Sequence, residues 1–356
     1  MKLGGVCSGI GGFEEAWRRN GGEVAWLCEI EPAARKVLEA LFPGVPVYPD
    51  ITELDPDEVE PVDVLTGGTP CQGFSIAGGR RGMEHAESRL FADYVRILDR
   101  LAERGLSWAV WENVPGVLSI TNDDGERTFP HVVAALAGAR EPVWLNEGVR
   151  WNTGMAARGS RAVSWRVLDS RHFGVPQRRR RVYACVALGG AAERRAFGAL
   201  LALPEGVRGD TAACSQTGQA ASAGAGAGAA SSFDARQSDV IQYGDDAGPL
   251  DTDGHSIAVL MTMREGKDGG GKGPLLSEDE SLTLATGNGQ VLFEPQPEAY
   301  GVRRLTPQEC EALQGFPDGW TEPAGSDSAR YRALGNAVTV NVPQWLFGRM
   351  LEADDD

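Results

Sequence analysis

A cysteine in a turn of small residues is the first candidate for chemistry. It stands in Gly67-Gly68-Thr69-Pro70-Cys71-Gln72-Gly73-Phe74-Ser75, directly after the apolar run Val62–Thr66. A free thiol near pKa 8.5 is only roughly 3% thiolate at neutral pH, so Cys71 needs activation to act as a nucleophile. Free cysteine is often just a small core residue, but Pro70 and the glycines favour a rigid exposed turn. The stretch continues as Gly78-Gly79-Arg80-Arg81-Gly82, basic and suited to closing over an anion. Trp111-Glu112-Asn113-Val114-Pro115 offers a carboxyl group at a strand end, a candidate acid or hydrogen-bond donor. Phe173-Gly174-Val175-Pro176-Gln177 leads into Arg178, Arg179, Arg180 and Arg181. Along a strand, Arg179 and Arg181 share one face and Arg178 and Arg180 the other. Near the start, Cys7-Ser8-Gly9-Ile10-Gly11-Gly12-Phe13 can turn tightly and approach a ligand. Glu29, at the end of the next strand candidate, can bind ribose hydroxyls, and Asp50 can meet an adenine amino group or equally serve as a turn or cap residue. The glycine spacing is not that of a nicotinamide-dinucleotide site.

The elements that must hold these residues alternate in type. Val24–Cys28, Val62–Thr66, Trp108–Trp111 and Arg181–Leu188 read as strands. Glu87–Arg104 has Leu90, Tyr94, Ile97, Leu98 and Leu101 at helical spacing with Gly105 as its stop, and Pro32 opens a helix to about Leu41. This alternation predicts an α/β fold with a parallel sheet covered on both faces. Composition changes near residue 190. Thr217–Ser232, polar and then Ala/Gly-rich, is a linker. From Ser232 to about Pro297, short segments such as Val240–Tyr243, Ile257–Met263, Leu282–Ala285 and Val291–Phe293 suggest a small, mostly β module. Residues 249–252 and 283–286 echo one another weakly. From Tyr300 helical character returns, ending in an acidic tail, Glu352–Asp356, expected to fray.

The chain has 356 residues and a formal net charge of −16, with 34 Lys and Arg against 50 Asp and Glu. Such acidity argues against a partner held by bulk attraction to phosphate or an anionic membrane. A nucleic-acid ligand therefore requires a local basic face. Arg150–Tyr183 has nine arginines and one acid, Asp169, and is the clear candidate. No apolar run resembles a signal peptide or a membrane span. Six scattered cysteines without a CxxC pair suggest a cytoplasmic protein without disulfides or bound metal.

These clusters, in this order, resemble the DNA cytosine-5 methyltransferases. Arg304-Leu305-Thr306-Pro307, Gln314-Gly315-Phe316-Pro317 and Gly335-Asn336-Ala337-Val338 extend the resemblance, which covers about residues 1–187 and 300–346. It implies a doubly wound, Rossmann-like methyltransferase sheet with a second, smaller, mostly β target-recognition domain. The expected division is a catalytic domain 1–190, a recognition domain 191–299 and a returning segment 300–356. It implies that Cys71 adds to carbon 6 of a flipped-out cytosine, that Glu112 holds N3 and the exocyclic amino group, and that Arg181 with Arg179 supports the base and the catalytic loop. The methyl donor would be S-adenosylmethionine, with S-adenosylhomocysteine as product. Gly9, Ile10, Gly11, Gly12 and Phe13 would shape its turn and Glu29 would bind its ribose. Ile30, Asp50 and Ile51 would lie at the adenine, and Pro70, Leu90, Asn336 and Ala337 would complete the pocket. Cys7 stands where the family usually has Phe, and Ile30 where some members have Trp, which removes ring contacts with the adenine.

Duplex DNA is the implied partner, met by Gln72, Ser75, Arg80, Arg81, Arg178 and Arg180. In the recognition segment the candidates are Arg236, Arg264, Lys267 and Lys272. That segment, 191–299, has seven basic against sixteen acidic residues, an awkward balance for a DNA-contacting module. The protein is expected to be a monomer, with a cognate restriction endonuclease as a conceivable companion in the same system. Two rival readings are a tRNA cytosine-5 methyltransferase and an inactive DNA-binding relative. Residues 142–164 have no assignment from the resemblance.

Overall fold

The computed structural model describes residues 1–70, 86–121, 125–143, 151–201 and 299–355, with short strand segments between 233 and 296. Two compact units emerge. The first comprises Met1–Asp169, Arg180–Thr211 and Val340–Asp356, and the second Ser170–Arg179 with Ala212–Thr339.

The first unit opens with β1 (Lys2–Val6), α1 (Gly12–Arg19), β2 (Glu23–Cys28), α2 (Pro32–Leu41), β3 (Val47–Tyr48), β4 (Val64–Gly67), α3 (Ala86–Ala102) and β5 (Trp108–Asn113). After α4 (Phe129–Leu136) come β6 (Thr153–Arg158) and β7 (Arg161–Asp169). With β9 (Arg180–Leu188), these strands form one sheet ordered β3-β2-β1-β4-β5-β9-β7-β6. The pairings from β3 to β5 are parallel, whereas β9, β7 and β6 are antiparallel to their neighbours. The expected parallel sheet is thus extended by an antiparallel flank. The fully buried pattern of β5 explains its continuous apolar run. The stripe on α3 packs inward, with Tyr94 donating to the Val110 carbonyl at 3.0 Å.

The unassigned residues from 153 onward are the β6–β7 hairpin. Gly154 is required there because a β-carbon would stand 2.3 Å from the Trp165 ring. Trp165 stacks on Trp151 at 5.6 Å and meets Phe129 edge-on, so an aromatic cluster seats the hairpin on the core.

The unit closes with α5 (Ala192–Leu200) and, after the excursion of the chain into the second unit, a long C-terminal helix, Asn341–Asp355. α5 belongs with the sheet, since Ser164 of β7 donates to its Ala196 carbonyl at 2.6 Å. The acidic tail, expected to fray, is helical as far as Asp355. Asp354 accepts from Trp108 at 2.9 Å and pairs with Arg195 at 2.6 Å. Arg195 also lies over the Trp108 ring. Two specific partners outweigh the like-charge repulsion that sequence alone suggests.

In the second unit β8 (Gln177–Arg178) pairs in parallel with β14 (Ser281–Leu282). The short pair β10 (Phe233–Asp234) and β11 (Ile241–Gln242) stands apart from a four-stranded antiparallel sheet. That sheet is ordered β13 (Gly273–Ser277), β12 (Val259–Arg264), β15 (Gln290–Gln296), β16 (Ala299–Arg304). The weak internal echo, residues 249–252 and 283–286, lies outside the described residues apart from Leu284.

The helices α6 (Pro307–Leu313) and α7 (Asp327–Asn336) complete this unit, and the C-terminal helix is therefore α8. Thr306 and Glu309 form a reciprocal capping box. The fully buried Glu311 accepts from the Gly319 and Thr321 amides, each at 2.8 Å, and from Arg330 at 2.9 Å. Among the described residues, no helix is long and apolar enough to cross a membrane.

Candidate active site

The strand order reverses direction around β1, which lies between β2 and β4. In open α/β sheets, ligands bind beyond the carboxyl ends of strands at such a point. The turn after β1 and the turn after β4 both occupy it.

The first turn is built on left-handed backbone: φ is 51° at Cys7, 57° at Gly9 and 86° at Gly11. At Gly11 a β-carbon would also stand 2.8 Å from the Phe42 ring. Gly11→Ala should therefore cost on the order of 2–3 kcal/mol, from backbone strain and overpacking together. Thermal denaturation, read as a lower midpoint, checks this.

Glu29 braces the turn from the end of β2. Its carboxylate accepts from Gly9 N–H at 2.7 Å and from Glu31 N–H at 2.8 Å. Burial raises its pKa, and these two amides hold it down. Ile30, next in sequence, is 67% exposed, an apolar side chain left open to a ligand. Asp50 accepts from both the backbone and the hydroxyl of Thr52 at 2.8 Å, so it also organises its own turn. Ile10, Phe13 and Ile51 are buried. Phe13 meets the Phe347 ring of α8. These three shape the site from within the core. Leu90 packs partly buried against the core, and Pro70 is exposed.

At the second turn, Cys71, Gln72, Ser75, Arg80 and Arg81 lie outside the described residues. The chain is nevertheless fixed up to the residue before Pro70. Asn113 Nδ2 donates to the Thr69 carbonyl at 2.8 Å, and Trp111 Nε1 donates to the Thr69 hydroxyl at 3.0 Å. Thr69 was not singled out by sequence; its signal was its place between the glycines and Pro70.

Glu112, at the end of β5, is 9% exposed. Its Oε1 lies 3.0 Å from Arg181 Nε. The adjacent Gly68 leaves room for it: a β-carbon there would stand 3.0 Å from Glu112 Oε2. The pairing of Glu112 with Tyr183 and of Asn113 with Val182 across β5 and β9 sets this meeting. A buried carboxylate held by a guanidinium can fix a substrate hydrogen-bonding edge, provided that the pair itself is well supported.

Arg179 does different work. It is 4% exposed, and its Nη2 donates to the Ala337 carbonyl at 2.7 Å and to the Gly335 carbonyl at 3.2 Å. Gln314 Nε2 caps the Leu334 carbonyl at 2.9 Å, and its Oε1 accepts from Thr339 at 2.6 Å. The turn carrying Asn336 and Ala337 is thereby held by buried side chains from separate segments. Removing the cation strands two carbonyls, so Arg179→Ala should cost about 2–4 kcal/mol, with Arg179→Lys recovering part. The thermal denaturation midpoint is again the measure.

The expectation that Arg150–Tyr183 supplies a local basic face is narrowed by internal partners. Arg161 pairs with Asp99 at 2.5 Å. Arg166 donates to the Leu200 carbonyl at 3.5 Å and Arg158 to the Gly138 carbonyl. With Arg179 and Arg181 also committed internally, Arg178 and Arg180 are the exposed members of the four arginines 178–181. Lys267 and Lys272 fall outside the described residues, in the connection between β12 and β13; Arg236 is also outside. Arg264 ends β12, opposite Gly273.

A family model described as C-5 cytosine-specific DNA methylase matches residues 1–140 and 235–352. The chain is 30% identical to the DNA N-6-adenine-methyltransferase of Escherichia phage P1, over 98% of this chain and 61% of that protein. It therefore spans less than two thirds of that relative's length. The Type II methyltransferase M.HpaII of Haemophilus parainfluenzae is 29% identical, over 98% of this chain and 88% of its own. M.MspI of Moraxella sp is 29% identical over 95% of this chain and 67% of its own. Among solved structures, the S. pombe Dnmt2 methyltransferase shares the fold, with a TM-score of 0.60, 16% identity and full coverage of both chains.

Proposed function

Because the chain belongs to the C-5 cytosine-specific DNA methylase family, we propose that it methylates carbon 5 of cytosine within a short specific sequence of duplex DNA. The observation that carries this reading is the Glu112–Arg181 pair, set beside a β4 turn whose anchored Thr69 leads into Pro70-Cys71-Gln72. Carbon 5 of cytosine is too weak a nucleophile without prior covalent activation. Cys71 supplies that activation by adding to carbon 6 of a base flipped out of the duplex. Glu112 accepts from the amino group of the base and, carrying a proton, donates it to N3 as the adduct forms, and Arg181 orients the Glu112 carboxyl group. S-adenosylmethionine supplies the methyl group. Water then takes the carbon-5 proton, and the electrons of that bond re-form the 5,6 double bond as Cys71 leaves as thiolate, releasing the product base.

The first turn fits that donor in its chemistry. Glu29 offers a carboxylate for ribose hydroxyls, Ile30 an exposed apolar side chain for a flat base, and Gly9 a backbone with nothing within 4 Å of a β-carbon position. Asn336 and Ala337 are proposed to contribute through the turn that Arg179 and Gln314 hold. Arg178, Arg180 and the β12–β13 connection are proposed to meet DNA. The acidic balance of the whole chain then predicts few phosphate contacts and, with few counterions released, a shallow loss of affinity with salt.

The phage P1 relative is named for adenine methylation at N6. That exocyclic nitrogen needs no cysteine adduct, whereas the motif around Cys71 and the buried Glu112 suit carbon 5. The remainder of the phage protein also lies outside the match. Bisulfite sequencing of DNA from cells expressing this chain tests the reading, since protected cytosines in one sequence context report both activity and target. Methyl transfer to tRNA in preference to duplex DNA would instead support the RNA reading. No transfer to either would support an inactive DNA-binding relative.

A further inference from the structure

Glu14 stands in the first turn of α1 with its carboxyl folded back beneath the β1–α1 turn, fully buried. Neither carboxylate oxygen has a hydrogen-bond partner of good geometry among the described residues, nor does the Ser8 hydroxyl beside it. Gly5 supplies the space. A β-carbon there would stand 2.1 Å from Glu14 Oε1 and 2.7 Å from Ser8 Oγ. A side chain at residue 5 and the Glu14 carboxyl therefore exclude one another.

Among the described residues no cationic side chain pairs with it. On its own helix, Arg18 and Arg19 pair with Glu15. On β1, Lys2 pairs with Glu60. From β2, Glu29 adds a like charge, and the neighbouring thiols of Cys7 and Cys28 are kept neutral by burial. From α8 the packed group is the Phe347 ring. Burial above all pushes the Glu14 carboxyl up to about 7; its own backbone amide and the Ser8 hydroxyl lower it in part, and Glu29 raises it further. Such a group answers to any charge placed close by.

The backbone beside this carboxyl is Ser8–Gly9, the segment braced by Glu29 and proposed to receive the methyl donor. S-adenosylmethionine is a cation overall, since its sulfonium and ammonium outnumber its carboxylate. S-adenosylhomocysteine lacks the sulfonium and is neutral overall. We propose that Glu14 makes the turn discriminate between the two by charge, its ionised form favouring the methyl donor and easing release of the product. This rests on the methyltransferase reading, and it assigns Glu14 as a positioning and specificity residue with no part in the chemical step.

Linkage sets the sign. A ligand that favours ionised Glu14 releases a proton on binding and binds more tightly as pH rises through the carboxyl's titration. If the donor lowers the Glu14 pKa by one unit, the preference for donor over product grows about tenfold from about pH 5.5 to about pH 8.5. Calorimetric titration of the full chain with each compound, in buffers of different ionisation enthalpy, counts the protons. Wild type should release more protons with S-adenosylmethionine than with S-adenosylhomocysteine, and its preference should rise with pH. Glu14→Gln keeps the shape of the side chain and should flatten both. The ligands' own amino groups titrate alike in the two proteins and cancel in the comparison. Equal proton release by wild type with the two compounds would overturn the inference even if the variant failed to fold. So would an unchanged pH dependence in a folded variant. Binding of neither compound by wild type would remove the methyltransferase reading itself.

Discussion

Cys71→Ala should abolish methyl transfer, by on the order of 10⁴-fold or more, while duplex binding survives. The magnitude comes from the chemistry: without an adduct at carbon 6, carbon 5 has no enamine character. A companion measurement uses duplex DNA with 5-fluorocytosine at the target. Fluorine cannot leave as the proton does, so wild type should become covalently attached and the alanine variant should not. Full methylation by Cys71→Ala, or an equal adduct yield from both proteins, would remove Cys71 from the mechanism. Thr69 gives the experiment a structural control. It is bound by Asn113 and Trp111 through groups that do not involve the cysteine, so the β4 turn should keep its place when the thiol is removed.

Much of the framework of this candidate site was legible in sequence because its parts lie just past strand ends. The apolar runs Val24–Cys28, Val62–Thr66 and Trp108–Trp111 became β2, β4 and β5, each within a residue or two. Residues immediately beyond the carboxyl end of a parallel strand face the ligand side of such a sheet. The Pro32–Leu41 helix was readable from its proline and spacing. Short-range signals of this kind survive folding because they encode backbone geometry directly.

The remainder was hidden for a different reason. Nothing in Arg179 or Arg181 tells which will meet a carboxylate and which a pair of carbonyls; adjacency in sequence does not decide partners 156 residues apart. The same holds for Asp354, which looked like part of a solvated tail until Trp108 and Arg195 came into reach. The basic strip obeys the same rule. Charge counted along the chain measures potential, whereas most of these guanidiniums are consumed by internal acceptors. Gly273–Ser277 and Ala299–Arg304 escaped notice as strands because their flanking glycines and acids outweighed short apolar cores.

Glu112→Gln should lower the rate of methyl transfer by about 10²- to 10⁴-fold, the range of a positioned acid–base group, with a much smaller effect on DNA affinity. Glutamine preserves the shape of the side chain and one acceptor oxygen. It removes the charge that meets Arg181 at 3.0 Å and puts an amide donor where the amino group of cytosine needs an acceptor. The adduct with 5-fluorocytosine should form slowly rather than disappear, because Cys71 remains. Arg181 supplies the decisive comparison. If its work is to orient the Glu112 carboxylate, then Arg181→Gln in the Glu112→Gln background should add little, since interacting residues are strongly non-additive. If the two losses multiplied instead, Arg181 would act on the base independently of Glu112. A Glu112→Gln enzyme with unchanged rate would show that the buried pair merely closes the β5–β9 junction.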